Sequence, residues 1–429
     1  MQRVIGFEEK KKESFLEELE ECGIFKVIER LTADEIIEMT EAYSAHNYGP
    51  LPVVIDRADG AKVWDKNGKE YIDLIGCYSA VGHGHRNRRI IRVAMKQMEK
   101  LLNTGRPVYN AEMGVLMKAL CEYTKMDIAL PMNTGAEAVE TALKAARRWG
   151  YRVKGVPQDQ AEIIAAVGNF HGRTITIIGF STEEAYRKDF GPFTPGFKII
   201  PFDDLTALEA AITANTVAFL VEPIQAEGGV IVPEEGYLTE VRKICDRHKV
   251  LLIVDEIQTG FARTGKDFAH QWDEIKPDLM TLGKALGGGL VPISAVVGKK
   301  EVMSMFDPGS HGSTFGGNPF ASCIAVEAIL EAIREKLAQR ALESGKKIMD
   351  ALKGLNSPYV KEIRGKGLLI GVEFKQEAGT GHDFAMKLLK LGIITKDTHK
   401  QTIRITPPLT ISEEEISIAL EKLKLVLQK

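Results

Sequence analysis

Two short stretches carry side chains whose types and spacing could do chemistry. The run Val250-Leu251-Leu252-Ile253-Val254 is apolar, short and rich in branched side chains, and it stops at Asp255. Such a run reads as a buried strand of a parallel sheet rather than a helix. A carboxylate at its end would sit where open α/β sheets bind their ligands. In the second stretch, Lys284 follows the strand-like run Leu279-Met280-Thr281-Leu282 and precedes Gly287-Gly288-Gly289. A buried carboxylate and a glycine-flanked lysine suit pyridoxal phosphate (PLP). The amine condenses with the cofactor aldehyde, and the carboxylate keeps the ring nitrogen protonated so that the ring can take up carbanion charge. Standing alone, the two stretches favour a plainer reading: a strand-end aspartate capping a loop, and a surface lysine.

Other candidates follow other strand signals. Pro131-Met132-Asn133-Thr134-Gly135-Ala136 is a strand end and a glycine turn opening a strongly helical run. Free N–H groups and the positive helix end point into such a turn, and a phosphate is its natural occupant. An ordinary turn with Thr134 as N-cap reads equally well. In Gly168-Asn169-Phe170-His171-Gly172-Arg173-Thr174, Phe170 could stack on a flat ring and Arg173 could grip a carboxylate with two parallel bonds. The alternatives are a core phenylalanine and a surface ion pair. Glu222 and Glu227 end a third strand, where carboxylates are often simply solvated. Arg404 lies inside the apolar strand Thr402–Ile405 and needs a partner or a ligand. His83-Gly84-His85 has no acidic or cysteine cluster beside it and reads as structural. Gly365-Lys366-Gly367 precedes a strand rather than a helix, so it offers a dinucleotide phosphate nothing. Gly283-Lys284-Ala285 lacks the Ser/Thr and the upstream glycine of a P-loop.

The elements that must position these groups alternate along the chain. Strand runs near 128–131, 163–167, 199–201, 217–222, 250–255, 279–282 and 293–297 are separated by helical runs such as 136–152 and 238–248. This alternation implies a mostly parallel sheet with helices on both faces. Before it lie a charged leader at 1–31 with a helical apolar face, and a helix opened by Thr32 with Glu35 three residues on. A β-meander follows, its turn at Asp65-Lys66-Asn67-Gly68. After it come a helix from Pro319 to about Ile333, further helices, and strands near 360–363, 368–374 and 402–405. The chain has 429 residues, enough for two domains or one elaborated α/β unit. Its net charge of -3 gives no general attraction to nucleic acid or an anionic membrane. No apolar run approaches a membrane-spanning length. The first twelve residues lack the apolar core of a signal peptide. Five dispersed cysteines point to reduced thiols in a cytoplasm.

Taken together, the motifs occur in the order and spacing of the class III, fold type I PLP-dependent aminotransferases, and the chain most resembles their ornithine δ-aminotransferase branch. The resemblance runs from about Ala33 to the C-terminus. It rests on Ala45-His46-Asn47-Tyr48-Gly49-Pro50-Leu51-Pro52, Tyr78-Ser79-Ala80-Val81, the turn at Gly135, Val221-Glu222-Pro223-Ile224-Gln225, Asp255-Glu256-Ile257-Gln258-Thr259-Gly260, Gly283-Lys284-Ala285, His311-Gly312-Ser313-Thr314 and Arg404-Ile405-Thr406-Pro407-Pro408. It implies a fold type I α/β architecture: a large PLP-binding domain at 84–333 with a seven-stranded sheet, and a smaller α/β domain built from 32–83 and 334–429. It implies that Lys284 bonds the cofactor and moves protons, Asp255 pairs with the pyridine nitrogen, and Gln258 reaches the ring hydroxyl. Phe170 would stack on the ring, and Gly135 and Ala136 would hold the phosphate. Thr314 would serve a neighbouring subunit's cofactor, making a homodimer the smallest active unit.

Tyr48, Tyr78, Arg173, Glu227 and Arg404 match substrate-side positions. Ornithine and 2-oxoglutarate must share one site. Arg404 gripping an α-carboxylate suits glutamate and misplaces ornithine. Glu227 paired with Arg404 would mask that charge and let ornithine enter tail first, its carboxylate held by Arg173 and Tyr48. Two departures stand out. His171 occupies a position where ornithine enzymes carry Trp and acetylornithine enzymes often carry His. Asn87-Arg88 replaces a common His-Pro at a helix start. Transfer from acetylornithine, lysine or 4-aminobutyrate, or racemisation without a keto acid, are the competing activities; the tyrosine pair favours ornithine.

Overall fold

The computed structural model describes residues 10–428. They form two units, one of residues up to 58 together with 63–71, the other of residues 59–62 and 72 onward. Residues 1–9 of the leader lie outside the described residues. From residue 10 the leader is two helices, Lys10–Cys22 and Ile24–Arg30, broken at Gly23, whose φ of 78° no helix accommodates. Of the expected apolar face at Phe15, Leu16, Leu19 and Cys22, Leu16 is exposed and the other three are half-buried, while Ile24 and Phe25 on the second helix are exposed. Thr32 does open a helix, Ala33–Tyr43. Glu35 N donates to its hydroxyl at 3.3 Å, and the Glu35 carboxylate accepts from Thr32 N at 2.8 Å. Three short strands follow, β1 (Ile55–Asp59), β2 (Lys62–Asp65) and β3 (Glu70–Asp73). At the turn after β2, the Asp65 carboxylate accepts the N–H groups of Asn67 and Lys69 at 2.9 Å, while Gly68 takes φ 82°.

The second unit is organised by a seven-stranded sheet. Its strands are β4 (Ile128–Met132), β5 (Glu162–Ala166), β6 (Phe197–Ile200), β7 (Thr216–Val221), β8 (Leu251–Asp255), β9 (Leu279–Leu282) and β10 (Ser294–Gly298). Their spatial order is β4-β10-β9-β8-β7-β5-β6. Only β10 runs antiparallel to its neighbours. Every residue of β7 and β8 is buried. Alternate positions enter different cores: Ala218, Leu220, Leu251 and Ile253 pack with the helix Gly135–Trp149, while Phe219, Val221, Leu252 and Val254 pack with Tyr237–His248. Each such aliphatic side chain stabilises the fold by about 1.5–3 kcal/mol, and double-sided burial is why these strands are unbroken apolar runs in sequence.

Two departures from the expected elements have clear causes. The helix from Gly135 ends at Trp149 and continues as a widened turn, Gly150–Lys154. Gly150 lies against β7, where a β-carbon would be 2.2 Å from Val217 Cγ1. Asn87 opens the helix Arg88–Met98 without a proline, its Oδ1 accepting Arg89 N and Ile90 N at 3.0 and 3.2 Å.

The C-terminal strands are β11 (Val360–Lys366), β12 (Leu369–Phe374), β13 (Ile393–Ile394), β14 (Lys396–Thr398) and β15 (Thr402–Ile405). An antiparallel sheet runs β11-β12-β15-β14. The short β13 and β14 have no clear signal in the sequence. Two helices, Leu337–Gly354 and Glu413–Leu427, share a core with Ile370, Phe374 and Ile403. Of the near-dinucleotide glycines, Gly365 lies in β11 and Gly367 in the β11–β12 turn. Gly367 takes φ 55°, and a β-carbon there would lie 2.5 Å from the Thr264 backbone. Among the described residues no helix is long and apolar enough to cross a membrane, and all five cysteines are unpaired.

Candidate active site

The strand ends expected to carry chemistry converge on one cavity of about 230 Å³. Its lining includes Gly135, Ala136, Phe170, His171, Glu222, Asp255, Gln258 and Lys284, each contributed by a segment following β4, β5, β7, β8 or β9. A parallel sheet delivers these segments to one edge, which is why residues as far apart in the chain as Gly135 and Lys284 meet.

Asp255 closes β8 and is 4% exposed. Its Oδ1 accepts Ile257 N at 3.0 Å and Thr281 Oγ1 at 2.9 Å; its Oδ2 lies 2.6 Å from His171 Nδ1. Glu256, fully buried, ties the following turn by accepting Ala269 N and His270 N at 3.0 and 2.8 Å. Burial pulls the His171 imidazole down, but the hydrogen bond to Asp255 and the charges of Asp255 and Glu222 outweigh it, so the ring titrates above its usual range. Its Nε2 is buried without a partner. Glu222, which accepts Phe170 N at 3.0 Å, is pushed by desolvation to about 8, His171 pulling against it and Asp255 adding to it. Sequence reading noted Glu222 only as a strand-end carboxylate and missed the His171–Asp255 bond. The visible signal was two acids and an imidazole, each following a fully apolar run.

Lys284 follows β9 with φ 45°, a left-handed conformation uncommon for a side-chain-bearing residue. It is half-buried and donates to Gln258 Oε1. Desolvation lowers its pKa; Glu227 and Asp255 push back and Arg404 adds to the fall. A lysine so placed has more neutral amine available as nucleophile and proton acceptor.

At Gly135 the helix begins with Thr134 capping Glu137 N at 3.2 Å, and the Glu137 carboxylate returns to Thr134 N at 2.8 Å. The box occupies the flanking donors. The N–H groups of Gly135 and Ala136, in the first turn, have no partner within the helix and open on the cavity. The donor set fits PLP: helix-end N–H groups for a phosphate, a buried carboxylate for a ring nitrogen, a lysine amine for an aldehyde, and the half-buried Phe170 for the ring face.

On the substrate side, Arg404 on β15 is 4% exposed and donates to Glu227. Burial raises the Glu227 carboxyl, but Arg404 and then Lys284 bring it below its ordinary value. The Arg404 guanidinium also lies 5.0 Å from the Tyr78 ring centre. Tyr78 sits in a run of four residues, Gly76 to Ser79, with φ between 47° and 75°. Arg173 is exposed, its guanidinium 3.9 Å over the Tyr186 ring and 5.7 Å from that of Phe170. One expected cofactor-side residue of this unit lies outside the cavity. Thr314 is exposed and absent from the cavity lining. Tyr48 belongs to the first unit, where it is 71% exposed. His83 and His85 serve different partners, Nε2 of the first on Ala328 O at 2.9 Å and Nε2 of the second on Asp73 Oδ2 at 2.8 Å.

Comparison with known proteins agrees with this geometry. The family model for class-III aminotransferases matches residues 43–427. An ornithine aminotransferase of Brevibacillus brevis is 53% identical over 392 residues, covering 91% of this chain and 98% of that protein. The crystal structure of the ornithine aminotransferase from Toxoplasma gondii ME49 superposes with a TM-score of 0.92 at 45% identity, covering 94% of this chain and 97% of that one. A second structure of the Toxoplasma gondii enzyme, with partial occupancy of PLP at its active site, has a TM-score of 0.92 at 44% identity and covers 98% of each chain. Since the matched span holds every strand of the central sheet together with Asp255 and Lys284, the chain belongs to the class-III aminotransferases and is a PLP-dependent enzyme of fold type I.

Proposed function

We propose that this enzyme transfers the δ-amino group of L-ornithine to 2-oxoglutarate, giving glutamate and glutamate 5-semialdehyde, which cyclises to pyrroline-5-carboxylate. The observation that carries the reading is the pairing of Arg404 with Glu227, while Arg173 has no carboxylate partner among the described residues. The buried cation is masked and the exposed one is not. An incoming ornithine carboxylate binds Arg173 and leaves the δ-carbon near Lys284. Glutamate uses Arg173 for its γ-carboxylate, and its α-carboxylate displaces Glu227 from Arg404. Bound PLP supplies an aldehyde to carry the amino group and a ring that takes up electrons from the reacting carbon. Asp255 would hold the ring nitrogen as its protonated form, and His171, hydrogen-bonded to Asp255 Oδ2, orients that carboxylate. Gln258 holds the ring hydroxyl, Phe170 covers the ring face, and Gly135 and Ala136 N–H groups hold the phosphate. The Lys284 amine removes a proton from the ornithine δ-carbon and, in the reverse half, returns one to the glutamate α-carbon.

We further place this activity in the cytoplasm and in a homodimer, in which Thr314 serves the phosphate site of a second copy. Residues 84–333 would form the cofactor domain, and 32–83 with 334–429 the smaller one.

A substrate panel tests the reading: ornithine, acetylornithine, lysine and 4-aminobutyrate, each with 2-oxoglutarate, with trapping of any cyclic imine. Ornithine should give the imine. In Glu227→Ala, the unmasked Arg404 should turn ornithine around and shift product toward α-transamination by roughly tenfold or more, the scale of one lost charge-assisted bond. Turnover of acetylornithine without ornithine, or unchanged regiochemistry in the variant, overturns it.

A further inference from the structure

Arg173 and Arg404 are handled in different ways. Arg404 spends guanidinium donors on Glu227. Arg173, exposed, makes no ion pair with a carboxylate among the described residues, and its guanidinium rests against two aromatic rings. Those rings brace each other edge to face, Phe170 and Tyr186 being 5.9 Å apart at 77°. Tyr186 is half-buried on the short helix Glu184–Arg187, whose position is fixed by Arg187 donating to Ser181 O at 3.3 Å. Phe170, Tyr186 and Glu227 together line a second cavity, of about 650 Å³. The ring that holds Arg173 therefore faces the same space as the carboxylate that masks Arg404.

An arginine on an exposed loop samples many rotamers, and ordering it on binding costs affinity. A carboxylate neighbour would order it but would consume the fork of donors that a substrate carboxylate needs. An aromatic face orders it differently, because the attraction acts through the ring face. We propose that Tyr186 is a specificity-determining positioning residue, which holds the Arg173 guanidinium ready for the substrate carboxylate distant from the reacting carbon. The inference rests on the proposed carboxylate-binding role of Arg173. Tyr186 touches no reacting atom; it acts through Arg173.

The test is a double-mutant cycle on the PLP-bound enzyme. Tyr186→Leu should raise KM for ornithine and for 2-oxoglutarate by roughly 5–30-fold, the range of a partly desolvated cation–ring contact, with kcat changed less than about threefold. PLP absorbance should be unaltered. Tyr186→Phe and Tyr186→Trp, which keep a ring face, should stay within about threefold of wild type in KM. In an Arg173→Ala background, Tyr186→Leu should add nothing, whereas a merely structural role would add its full effect. If Tyr186→Leu yields no PLP-bound protein, Tyr186→Gln carries the same cycle on this surface helix. Failure of Arg173→Ala to raise KM overturns the role of Arg173 itself. A raised KM in Arg173→Ala, with Tyr186→Leu silent or fully additive, overturns the positioning role alone.

Discussion

Glu227, Glu222 and Asp255 are three carboxyl groups around one lysine, and each has different surroundings. Arg404 draws the Glu227 carboxyl below its ordinary value, desolvation pushes that of Glu222 up to about 8, and Asp255 lies 2.6 Å from an imidazole that titrates above its usual range. Environment sorts these roles, not residue type. The same reasoning makes His83 a pH-sensitive position outside the chemistry. It is 2% exposed, donates to Ala328 O, and its Nδ1 has no partner. Burial takes it from its ordinary 6.5 to about 4, with Glu331 opposing and Arg263 assisting. The folded form holds the neutral ring, so its stability is full above pH 6.5. It is lost as pH falls toward 4, because there the unfolded chain binds the extra proton. The gap corresponds to a loss of about 3 kcal/mol across that window. His83→Gln keeps a donor for Ala328 and does not titrate. Its urea midpoint should fall less between pH 7 and pH 4.5 than that of wild type, and parallel falls would exclude His83 as the source.

At the level of elements, the loop after β8 does more than present Asp255. Arg263, 1% exposed, donates one nitrogen to Leu368 O at 3.0 Å and Pro407 O at 2.7 Å, and its own carbonyl accepts Leu368 N at 3.0 Å. It thus ties the carboxylate loop to the β11–β12 turn and to the segment two residues beyond β15, the strand that carries Arg404. Truncation leaves two buried carbonyls without this donor. Arg263→Ala should destabilise the fold by about 1–3 kcal/mol in urea unfolding, since the unpaired carbonyls are partly offset by losing Nε and Nη2, themselves buried without partners, and Arg263→Lys by less, since an ammonium can still reach a carbonyl. Equal losses in the two variants would assign the effect to packing.

None of this was legible in the chain, where Arg263 stands between Ala262 and Thr264 like any surface arginine. What was legible follows from period and burial. The seven central strands announced themselves because both faces are covered, and the Thr32 box because its two partners are three residues apart. The His171–Asp255 bond joins residues 84 positions apart, and β13 and β14 are two and three residues long. Neither leaves a local pattern. Tyr186 escaped notice because its significance lies wholly in what stands over its ring.

At the scale of the whole molecule, the role proposed for Thr314 requires a second chain. It lies outside the cavity of its own chain, beside exposed Phe315. A nearby cavity of about 470 Å³ is lined by Met98, Leu102, Val291 and Phe315, and Met98 and Leu102 are also exposed. Apolar surface of this kind is what an isologous contact covers. If a second copy covers it and Thr314 crosses to that copy's phosphate site, each active site draws its lysine from one chain and Thr314 from the other. Lys284→Ala and Thr314→Asp should each be inactive as pure proteins, the second because an added carboxylate repels a phosphate. Unfolded together at equal amounts and refolded with PLP, they should regain activity. Half of the random dimers are mixed, and each mixed dimer has one site with both groups intact, so about a quarter of the wild-type rate is expected. Sedimentation would confirm the dimer. Were each chain to complete its own site, the Lys284→Ala chain could contribute nothing, and the mixture would remain as inactive as its parts.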